Sequence, residues 1–484
     1  MASQGDKWTG KDEGEVKSTP SINQEVAPTL VSSTDTKVKK HGEAAQVIVI
    51  GGGMAGLAAC EHLVQSGLNV VLVEANNYLG GRVRQIESNG WPPVDMGGEI
   101  IHGCLTRVYQ LAEKYNWDNE MLFDYEAENG LEWIYLDGKM YPYHSNQPDI
   151  LAAYTAWGDF VYSNKPDDTA NIDITAAEYF AKHPEIKIKS QHIFDVVFCQ
   201  TEAANLNSLG AQEHSDFQNG WECGPGNFRL KNSHKQVVQH YTKKCEKADI
   251  KLNWQAKEID YSLETVTVTN QNGETLQTQA VILCVPLTVL KDRDITFKPQ
   301  LPQDKQIAIE KLQMYTGLKI VCRFRERFWP ETTKLVFNCM SDISQLWMYA
   351  VVNEKTGDQC HVVTGFQTAE YARRKAHMTA EEVKEILLDD LNQMFGTKDK
   401  QTPASDFLID YVYCHWSSNP YIRGAYSSPS VHARGSREIL ARPVSDRVFF
   451  AGEATRDRGD FATVSGALES GIKAAGEVRN ALKL

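Results

Sequence analysis

The chain has 484 residues and a formal net charge of −13, and 42% of its residues are apolar and 23% charged. A chain of this length exceeds what one hydrophobic core supports, so we expect two or three domains. No apolar run approaches the ~18–20 residues of a membrane-spanning helix, and the negative charge argues against a nucleic-acid partner while favouring a cationic substrate.

Residues 1–44 are rich in Ser, Thr, Lys, Asp and Glu, which predicts a disordered tail without the apolar core of a signal peptide. The ten cysteines form no C-x-x-C motif, which favours buried, reduced thiols. We therefore predict a cytoplasmic protein. Two short sequence signals leave the nucleus and the peroxisome as alternative compartments. Lys37, Lys39 and Lys40 are typical of a nuclear signal, and 482–484 (L-K-L) is similar to the S-K-L peroxisomal address.

The apolar run Val47–Ile50 is followed at once by a G-x-G-x-x-G motif. Gly51 permits a tight turn, Gly53 lets the backbone approach a pyrophosphate, and Gly56 allows a helix to pack closely on the strand. The pattern predicts a helix that begins near Met54. Its free N–H groups and positive dipole end would face the phosphates.

A second apolar run, Val70–Val73, ends in Glu74. With the first strand and the helix, it completes a βαβ unit that binds a dinucleotide. The carboxylate of Glu74 would accept hydrogen bonds from a ribose, which disfavours a 2′-phosphorylated nucleotide.

Later regions extend the nucleotide-binding pattern. Residues 265–269 and 280–286 are strand-like. Residues 447–450 predict another strand, and a helix of small residues is expected from about Val464 to Leu482. A domain assembled from separated pieces implies that the intervening segments form a second domain.

The intervening segments predict a mixed sheet flanked by helices. Thr379 and Glu382 form a capping-box signature, followed by apolar residues at helical spacing until Gly396. Three strand-like runs surround this helix, at 318–324, 346–352 and 361–366.

We therefore predict an α/β fold in which a Rossmann-like nucleotide-binding domain is interleaved with an α+β substrate-binding domain. The predicted boundaries are 45–118, 228–305 and 418–484 for the first domain, and 119–227 and 306–417 for the second.

Further motifs follow Glu74. They are 79–83 (L-G-G-R-V), 95–98 (D-M-G-G), 416–426 with its Trp, Pro and Tyr residues, and 450–455 (F-A-G-E-A-T) followed by 462–467 (A-T-V-S-G-A). In this order the motifs resemble those of the flavin-containing amine oxidases, which include polyamine oxidases, monoamine oxidases and flavin-dependent histone demethylases. The resemblance extends over nearly the whole chain after residue 44 and implies the amine oxidase fold with FAD as cofactor.

The resemblance assigns parts of the cofactor to particular residues. Arg82 would neutralise pyrophosphate charge, Glu453 would hold the ribityl chain, and the Val464 backbone would lie near the pyrimidine edge of the ring. The complete predicted set of cofactor-binding residues is Gly51, Gly53, Gly56, Glu74, Gly81, Arg82, Gly98, Glu99, Trp416, Gly452, Glu453, Thr463 and Val464.

The resemblance also implies that FAD is bound non-covalently. Monoamine oxidases attach the flavin through a Cys immediately before a tyrosine. In this chain the tyrosine is Tyr426 and the preceding residue is Ala425. No metal is expected.

Three residues are predicted to be catalytic. Lys319 matches the family's lysine that holds a water against flavin N5, and on a strand it would share a face with Val321. Tyr426 matches an aromatic wall that guides the amine to the flavin. His102, which falls where animal polyamine oxidases also have histidine, would orient the amine or take its proton.

Three residues are predicted to bind the substrate. Thr463 replaces the second aromatic wall of the monoamine oxidases, which implies a more open slot. Glu99 is unusual at its position, where it would add a carboxylate for a cationic substrate or be paired with an arginine. Glu202, in an acidic and helix-like stretch, is a candidate for binding a distal ammonium group.

The preferred function is FAD-dependent oxidation of a polyamine, with a small cationic amine and O2 as partners and with an aldehyde, a shorter amine and hydrogen peroxide as products. One alternative is an L-amino-acid or other small-amine oxidase, which would need an arginine for the carboxylate. Another is an isomerase or desaturase, because Ile100 stands where polyamine oxidases carry tryptophan. A flavin-bearing scaffold is a further alternative, while histone demethylation is not expected. The sequence does not predict the oligomeric state.

Overall fold

The computed structural model describes residues 45–87, 90–125, 130–162, 173–352, 357, 359–457 and 459–483. The predicted tail and its lysine cluster, together with Leu484 of the L-K-L ending, lie outside the described residues. Within the described part, no helix is long and apolar enough to cross a membrane.

The strands occur both singly between helices and in consecutive runs. In chain order they are β1 Val47–Ile50, β2 Val70–Val73, β3 Ile101–His102, β4 Asn119–Phe123, β5 Glu132–Leu136, β6 Lys139–Pro142, β7 Asn227–Leu230, β8 Asp249–Lys251, β9 Ala256–Asp260, β10 Val266–Asn270, β11 Thr275–Thr278, β12 Ala280–Leu283, β13 Thr296–Lys298, β14 Gln313–Met314, β15 Gly317–Phe324, β16 Leu335–Asn338, β17 Gln345–Val352, β18 Gln359–Thr368, β19 Leu408–His415, β20 Ser427–Ser428 and β21 Val448–Phe450.

The helices vary from short connectors to long packed elements. In chain order they are α1 Met54–Gln65, α2 Arg107–Tyr115, α3 Pro148–Tyr162, α4 Ala176–Lys182, α5 Ile188–Phe194, α6 Ala211–Asn219, α7 Lys235–Lys244, α8 Leu287–Lys291, α9 Gln303–Lys311, α10 Ala369–Arg374, α11 Ala380–Phe395, α12 Pro403–Phe407, α13 Ser436–Ala441 and α14 Val464–Ala481. A π-helical turn, Asp195–Cys199, directly continues α5.

A parallel sheet of five strands forms the nucleotide-binding side of the molecule, in the order β21-β12-β1-β2-β8. Its central strands are continuous apolar runs that are buried along their length, as expected for a parallel sheet covered on both faces. Alternate residues of β1 pack on α1 and α14 on one face and on β9 and β10 on the other. The strands and helices that the sequence predicted for this region are confirmed.

A mixed sheet of seven strands forms the second part, in the order β19-β15-β18-β17-β16-β5-β6. All its neighbours run antiparallel except β16 and β5, which are parallel. The helix α11 packs on this sheet and begins with the predicted capping box, in which Thr379 accepts from the Glu382 N–H and the Glu382 side chain reaches back. The predicted mixed sheet with flanking helices is confirmed.

Smaller sheets connect the two parts. The strand β4 pairs with β7, and β14 pairs with β20, so both pairs cross a predicted domain boundary. The fold class is confirmed, because the parallel and mixed sheets are built from interleaved segments of the chain. The residue boundaries of the two domains stay a prediction.

Candidate active site

A long cavity opens at the carboxyl ends of the parallel strands. The ends of β1, β2, β12 and β21 contribute its floor, through Gly51, Glu74, Cys284 and Gly452. The space measures about 1470 Å³ with the open solvent at its mouth included. This edge of an open α/β sheet is where nucleotides bind in such folds.

The three glycines of the first motif have two roles: two bring the helix α1 against the sheet, and the third leaves space for a ligand. A Cβ on Gly56 would lie 1.8 Å from the carbonyl oxygen of Gly51, and a Cβ on Gly51 would lie 2.7 Å from that of Cys284. A Cβ on Gly53 would meet nothing within 4 Å, and Gly53 lines the cavity. Gly51 and Gly56 therefore serve packing, whereas Gly53 leaves room for a ligand.

Glu74 lies at the end of β2 and is held by the turn beside it. Its Oε2 accepts the Gly52 N–H at 2.6 Å, and its Oε1 accepts the backbone and side-chain N–H groups of Asn76, each at 2.7 Å. Burial raises the pKa of Glu74, and these hydrogen bonds oppose the rise. Glu74 lines the cavity, where its remaining lone pairs can accept from a ribose.

The N-terminus of a second long helix, α14, faces the same cavity. The Thr463 hydroxyl caps this helix, accepting the Gly466 N–H at 2.9 Å and donating to the Asp460 carbonyl at 2.7 Å. Thr463 and Val464 both line the cavity. The positive ends of α1 and α14 therefore favour a negatively charged ligand between them.

A partly buried ion pair lines the cavity, with the Glu453 side chain buried and that of Arg82 25% exposed. Arg82 lies 3.0 Å from the Glu453 carboxylate and donates to the Ala425 carbonyl at 2.8 Å. The other Glu453 oxygen accepts the Ser427 hydroxyl at 2.6 Å and the Ala462 N–H at 3.1 Å. Arg82, Glu453 and Ala425 all line the cavity.

Two more predicted glycines lie where the backbone passes closest to this cavity. A Cβ on Gly81 would lie 3.2 Å from Gly53 Cα, and a Cβ on Gly98 would lie 2.9 Å from the Val464 side chain. Both glycines line the cavity. Their positions leave the cavity open between α1 and α14.

Lys319 lies on β15, buried beneath the segment that leads to Gly98. Its Nζ donates to Glu99 Oε2 at 2.6 Å, to the Gly97 carbonyl at 2.9 Å and to the Asp95 carbonyl at 3.3 Å. Val321, two residues on, packs in the core on the same side of the sheet, as predicted from the alternation of the strand.

Glu99 is paired with Lys319, and not with an arginine. Its second oxygen accepts the Tyr349 hydroxyl. Because both oxygens already have protein partners, a substrate ammonium would compete with Lys319 and Tyr349 for Glu99, and its part in cofactor binding stays a prediction.

Trp416 packs on the outer side of the same segment. Its Nε1 donates to the Met96 carbonyl at 3.0 Å, and its ring would lie 3.1 Å from a Cβ on Gly97. It is not among the residues that line the cavity. Its predicted part in cofactor binding is therefore indirect, through the position of Met96 and Gly97.

Tyr426 begins a row of aromatic side chains that leads to Lys319. Its ring stacks on Phe366 with centroids 6.5 Å apart, Phe366 stacks on Trp347 at 5.0 Å, and Lys319 Nζ lies 4.8 Å from the Trp347 ring centre. Burial raises the pKa of Tyr426, so its hydroxyl stays protonated and donates to the Thr201 carbonyl at 2.9 Å.

Glu202 follows the π-helical turn and lies near Tyr426 and Tyr125. Burial raises its pKa to about 8, and Arg437 offsets only part of the rise. Among the residues that the structure describes, none donates a hydrogen bond to its carboxylate. Glu202 is therefore a carboxyl group without a partner beside an aromatic wall of the cavity.

His102 lies on the short strand β3. Its Nδ1 lies 2.7 Å from Asn227 Oδ1, which is its neighbour across the β3–β7 pair. Burial lowers its pKa more than this hydrogen bond raises it, so the ring is neutral near pH 7. His102 shares a small side cavity with Thr463 and Val464.

Sequence reasoning did not identify Asn227, Phe366, Trp347 or Tyr349. The last three lie on the predicted strands 346–352 and 361–366, and strand alternation alone places Trp347 and Tyr349 on one face. Nothing in the sequence indicates which strand pairs with β15. Their contact with Lys319 was therefore not predictable.

The donor set of the cavity fits a dinucleotide with a flavin ring. Two helix N-termini and Arg82 suit a pyrophosphate, Glu74 suits a ribose, and Glu453 with the aromatic end suits the flavin half. The fold and this cavity define an α/β protein that binds a dinucleotide. Clusters of His, Cys, Asp or Glu that could hold a metal are absent from the described residues.

Comparison with known proteins identifies the family. The sequence profile described as "Flavin containing amine oxidoreductase" matches residues 54–479. The chain is 27% identical to Polyamine oxidase 2 of Arabidopsis thaliana over 456 residues, which cover 90% of this chain and 88% of that protein. It is 27% identical to Lysine-specific histone demethylase 1B of Mus musculus over 456 residues, which cover 91% of this chain but 53% of that protein. The chain thus spans about half the length of the demethylase.

The solved structures show the same fold. Putrescine Oxidase bound to putrescine is similar with a TM-score of 0.75 and 18% identity, over 90% of this chain and 99% of that one. The chain belongs to the flavin-containing amine oxidoreductase family, as the motifs predicted. It is an FAD-dependent oxidoreductase that acts on amines.

Two glycine variants separate cofactor binding from folding. Gly53→Ala should leave the thermal unfolding of the FAD-free protein unchanged but weaken FAD binding at least about tenfold, about 1.4 kcal/mol, because its methyl group enters the cavity. Gly56→Ala should instead destabilise the protein by about 3 kcal/mol. The measurements are FAD titration by fluorescence and thermal unfolding. Equal FAD affinity in Gly53→Ala and wild type would remove Gly53 from the cofactor site.

Proposed function

We propose that the protein oxidises a polyamine, such as spermine, spermidine or an acetylated derivative. The observation that carries the proposal is Glu202, a carboxyl group without a hydrogen-bond partner among the described residues, beside Tyr426 at the flavin end of the cavity. A cationic amine supplies the counter-charge that such a group lacks. The family and the polyamine oxidase relative support the same substrate class.

Bound FAD, held between the N-termini of α1 and α14 with Arg82 and Glu453 beside it, would supply the redox chemistry, which is oxidation of the carbon next to the amine nitrogen with O2 as final acceptor and hydrogen peroxide as product. The amine loses the hydride and a proton, so it becomes an imine. Hydrolysis of the imine gives an aldehyde and a shorter amine.

The residues around the ring bind and orient the amine. Tyr426 forms one wall of the slot, and Thr463, whose hydroxyl is used to cap α14, leaves the opposite wall open. Glu202 binds an ammonium group at a distance from the reacting carbon. A slot with one aromatic wall and one carboxylate favours an extended cation over a compact aromatic amine.

His102 accepts the proton of the reacting amine. Because its Nδ1 donates to Asn227, its Nε2 keeps a free lone pair. Burial lowers the pKa of His102, which keeps the ring neutral and able to accept a proton at pH 7. Lys319 lies behind the Asp95–Gly98 segment, where it holds the backbone next to the ring.

An amino-acid oxidase is less well supported. It needs an arginine free to bind a carboxylate. Among the described residues, the arginine that lines the cavity is Arg82, which pairs with Glu453. The buried Arg229 and Arg437 also have carboxylate partners, Glu120 and Glu213. An isomerase or desaturase needs an apolar slot, which Glu202 disfavours.

We further propose that the protein works in the cytoplasm. All ten cysteines are free, and eight of them are buried. Burial raises the pKa of several of these thiols, including Cys284 and Cys322, so they stay protonated. Buried thiols without disulfides suit a reducing compartment.

Anaerobic mixing with candidate substrates tests the reaction class. Spermine, spermidine or their N-acetyl forms should bleach the yellow flavin within seconds, and air should restore the colour with one peroxide per amine oxidised. L-amino acids and polyunsaturated fatty acids serve as comparison substrates. Bleaching by L-amino acids alone would replace the proposed function, and bleaching by no amine would leave the isomerase and scaffold alternatives.

The carboxyl group of Glu202 predicts a pH dependence of substrate binding. Because its pKa is about 8, the carboxylate forms as the pH rises, and KM for a cationic amine should fall about 25-fold between pH 6.5 and 8.5. Glu202→Gln should abolish this fall and raise KM at pH 8.5, with a smaller change in kcat. Glu264→Gln, at an exposed site before β10, is the matched control. An unchanged KM profile in Glu202→Gln would contradict the assignment.

Non-covalent attachment of FAD is tested by acid precipitation. Ala425 lines the cavity and carries no thiol, so all of the flavin absorbance should appear in the supernatant. Colour that stays in the precipitated protein would show that another residue forms a covalent bond with the ring.

A further inference from the structure

A buried ion pair between Lys319 and Glu99 lies behind the flavin end of the cavity. The two side chains are 1% and 2% exposed, and Lys319 Nζ lies 2.6 Å from Glu99 Oε2. A charge at this depth is stable only with a counter-charge and hydrogen bonds, and removal of one partner of such a pair leaves the other charge buried and uncompensated. Each of the two residues therefore supplies the counter-charge that the other needs at this depth.

The ammonium group uses all three of its N–H donors within the protein. Besides Glu99, they reach the carbonyl groups of Gly97 at 2.9 Å and Asp95 at 3.3 Å. These carbonyls belong to the segment that enters the cavity at Gly98. The position of the charge and the position of this segment are thus fixed together.

The other oxygen of the Glu99 carboxylate is held by a series of contacting side chains that reaches the surface. This oxygen, Oε1, accepts the Tyr349 hydroxyl. Burial, and then Glu99 itself, raise the pKa of Tyr349 well above its usual value, so the phenol remains a donor. The Arg229 guanidinium lies 4.1 Å from the Tyr349 ring centre and pairs with Glu120 at 2.7 Å.

We propose that Glu99 is a positioning residue: it holds the Lys319 side chain against the Asp95–Gly98 segment and compensates the charge beside the flavin. The proposal rests on the proposed place of Lys319 next to FAD. Without the carboxylate, a buried ammonium would carry an uncompensated charge at low pH and lose its proton as the pH rises.

Other groups surround the pair without replacing Glu99. By element they are Cys414 on β19, Tyr349 on β17, Arg229 on β7, His234 before α7, and Asp95 before β3. Burial raises the pKa of Cys414 to about 12, so the thiol is neutral. The Asp95 carboxylate accepts the Ser233 hydroxyl at 2.7 Å and a backbone N–H at 3.0 Å, and only its carbonyl is bonded to Lys319.

The test measures the flavin without any amine, so that it stands apart from the proposed substrate. The holoenzyme is reduced with dithionite and mixed with O2 from pH 6 to pH 9, and the midpoint potential of FAD is measured over the same range. In Glu99→Gln, the pH profiles of the reoxidation rate and of the midpoint potential should show an ionisation that is absent from the wild-type profiles. At pH values below this ionisation, reoxidation of Glu99→Gln should be several-fold faster than that of wild type, and its midpoint potential should be more positive. The reason is that an uncompensated cation stabilises reduced flavin and the superoxide that forms from O2.

The double variant Glu99→Gln/Lys319→Met identifies the titrating group. It should lose the added ionisation, and it should unfold at a higher temperature than either single variant, because neither charge is left buried alone. Tyr349→Phe keeps both charges and should show no added ionisation. Identical pH profiles of Glu99→Gln and wild type, or an added ionisation that persists in the double variant, would overturn the proposal. If Glu99→Gln does not bind FAD, a double variant no more stable than Lys319→Met would overturn it as well.

Discussion

The close approach of the helix α1 to its neighbours is the constraint on which the rest of the structure depends. On one side, Gly56 lets the helix reach the turn after β1, where any Cβ would overlap the Gly51 carbonyl. On the other side, Gly471 of α14 lies against Ala55, and a Cβ there would lie 2.1 Å from its carbonyl oxygen. Because α1 is held between strand and helix by backbone contact, the N-termini of α1 and α14 reach the same cavity. The positive electrostatic potential of these N-termini, which favours a pyrophosphate, therefore follows from this packing.

Buried charges then connect the cofactor side of the molecule to the substrate side. Arg437 pairs with Glu213 at 2.6 Å and donates to the Ser427 hydroxyl, which in turn donates to Glu453. The Lys319–Glu99 pair joins the mixed sheet to the segment before β3 in a similar way. Buried ion pairs add little net stability compared with apolar packing. Their value here is geometric, because each one admits a single arrangement of the chain segments that it joins.

The local features of the fold were predictable and the long-range partners were not. The strand, turn and helix around Gly51, and the capping box at Thr379, depend on residues a few positions apart, and the structure confirms them. The face of β15 that Lys319 shares with Val321 followed from strand alternation, but the partner of Lys319 did not, since Glu99 lies 220 positions away. The pairing depends on how β15 and the segment before β3 meet after the sheets assemble. Trp416 illustrates the same limit: its aromatic type was informative, whereas its contact with Met96 required the assembled fold.

The order of strands in the parallel sheet has a consequence for synthesis on the ribosome. The strand β1 is synthesised before its sheet neighbour β12. The other edge of β12 stays unpaired until β21 is made, and β21 and α14 follow much later in the chain. Until then, the face of α1 that packs on α14 and the open edge of β12 are exposed to solvent. Such surfaces bind chaperones and aggregate readily. The coenzyme site is therefore completed only after β21 and α14 have been synthesised, and until then these surfaces are open to chaperones.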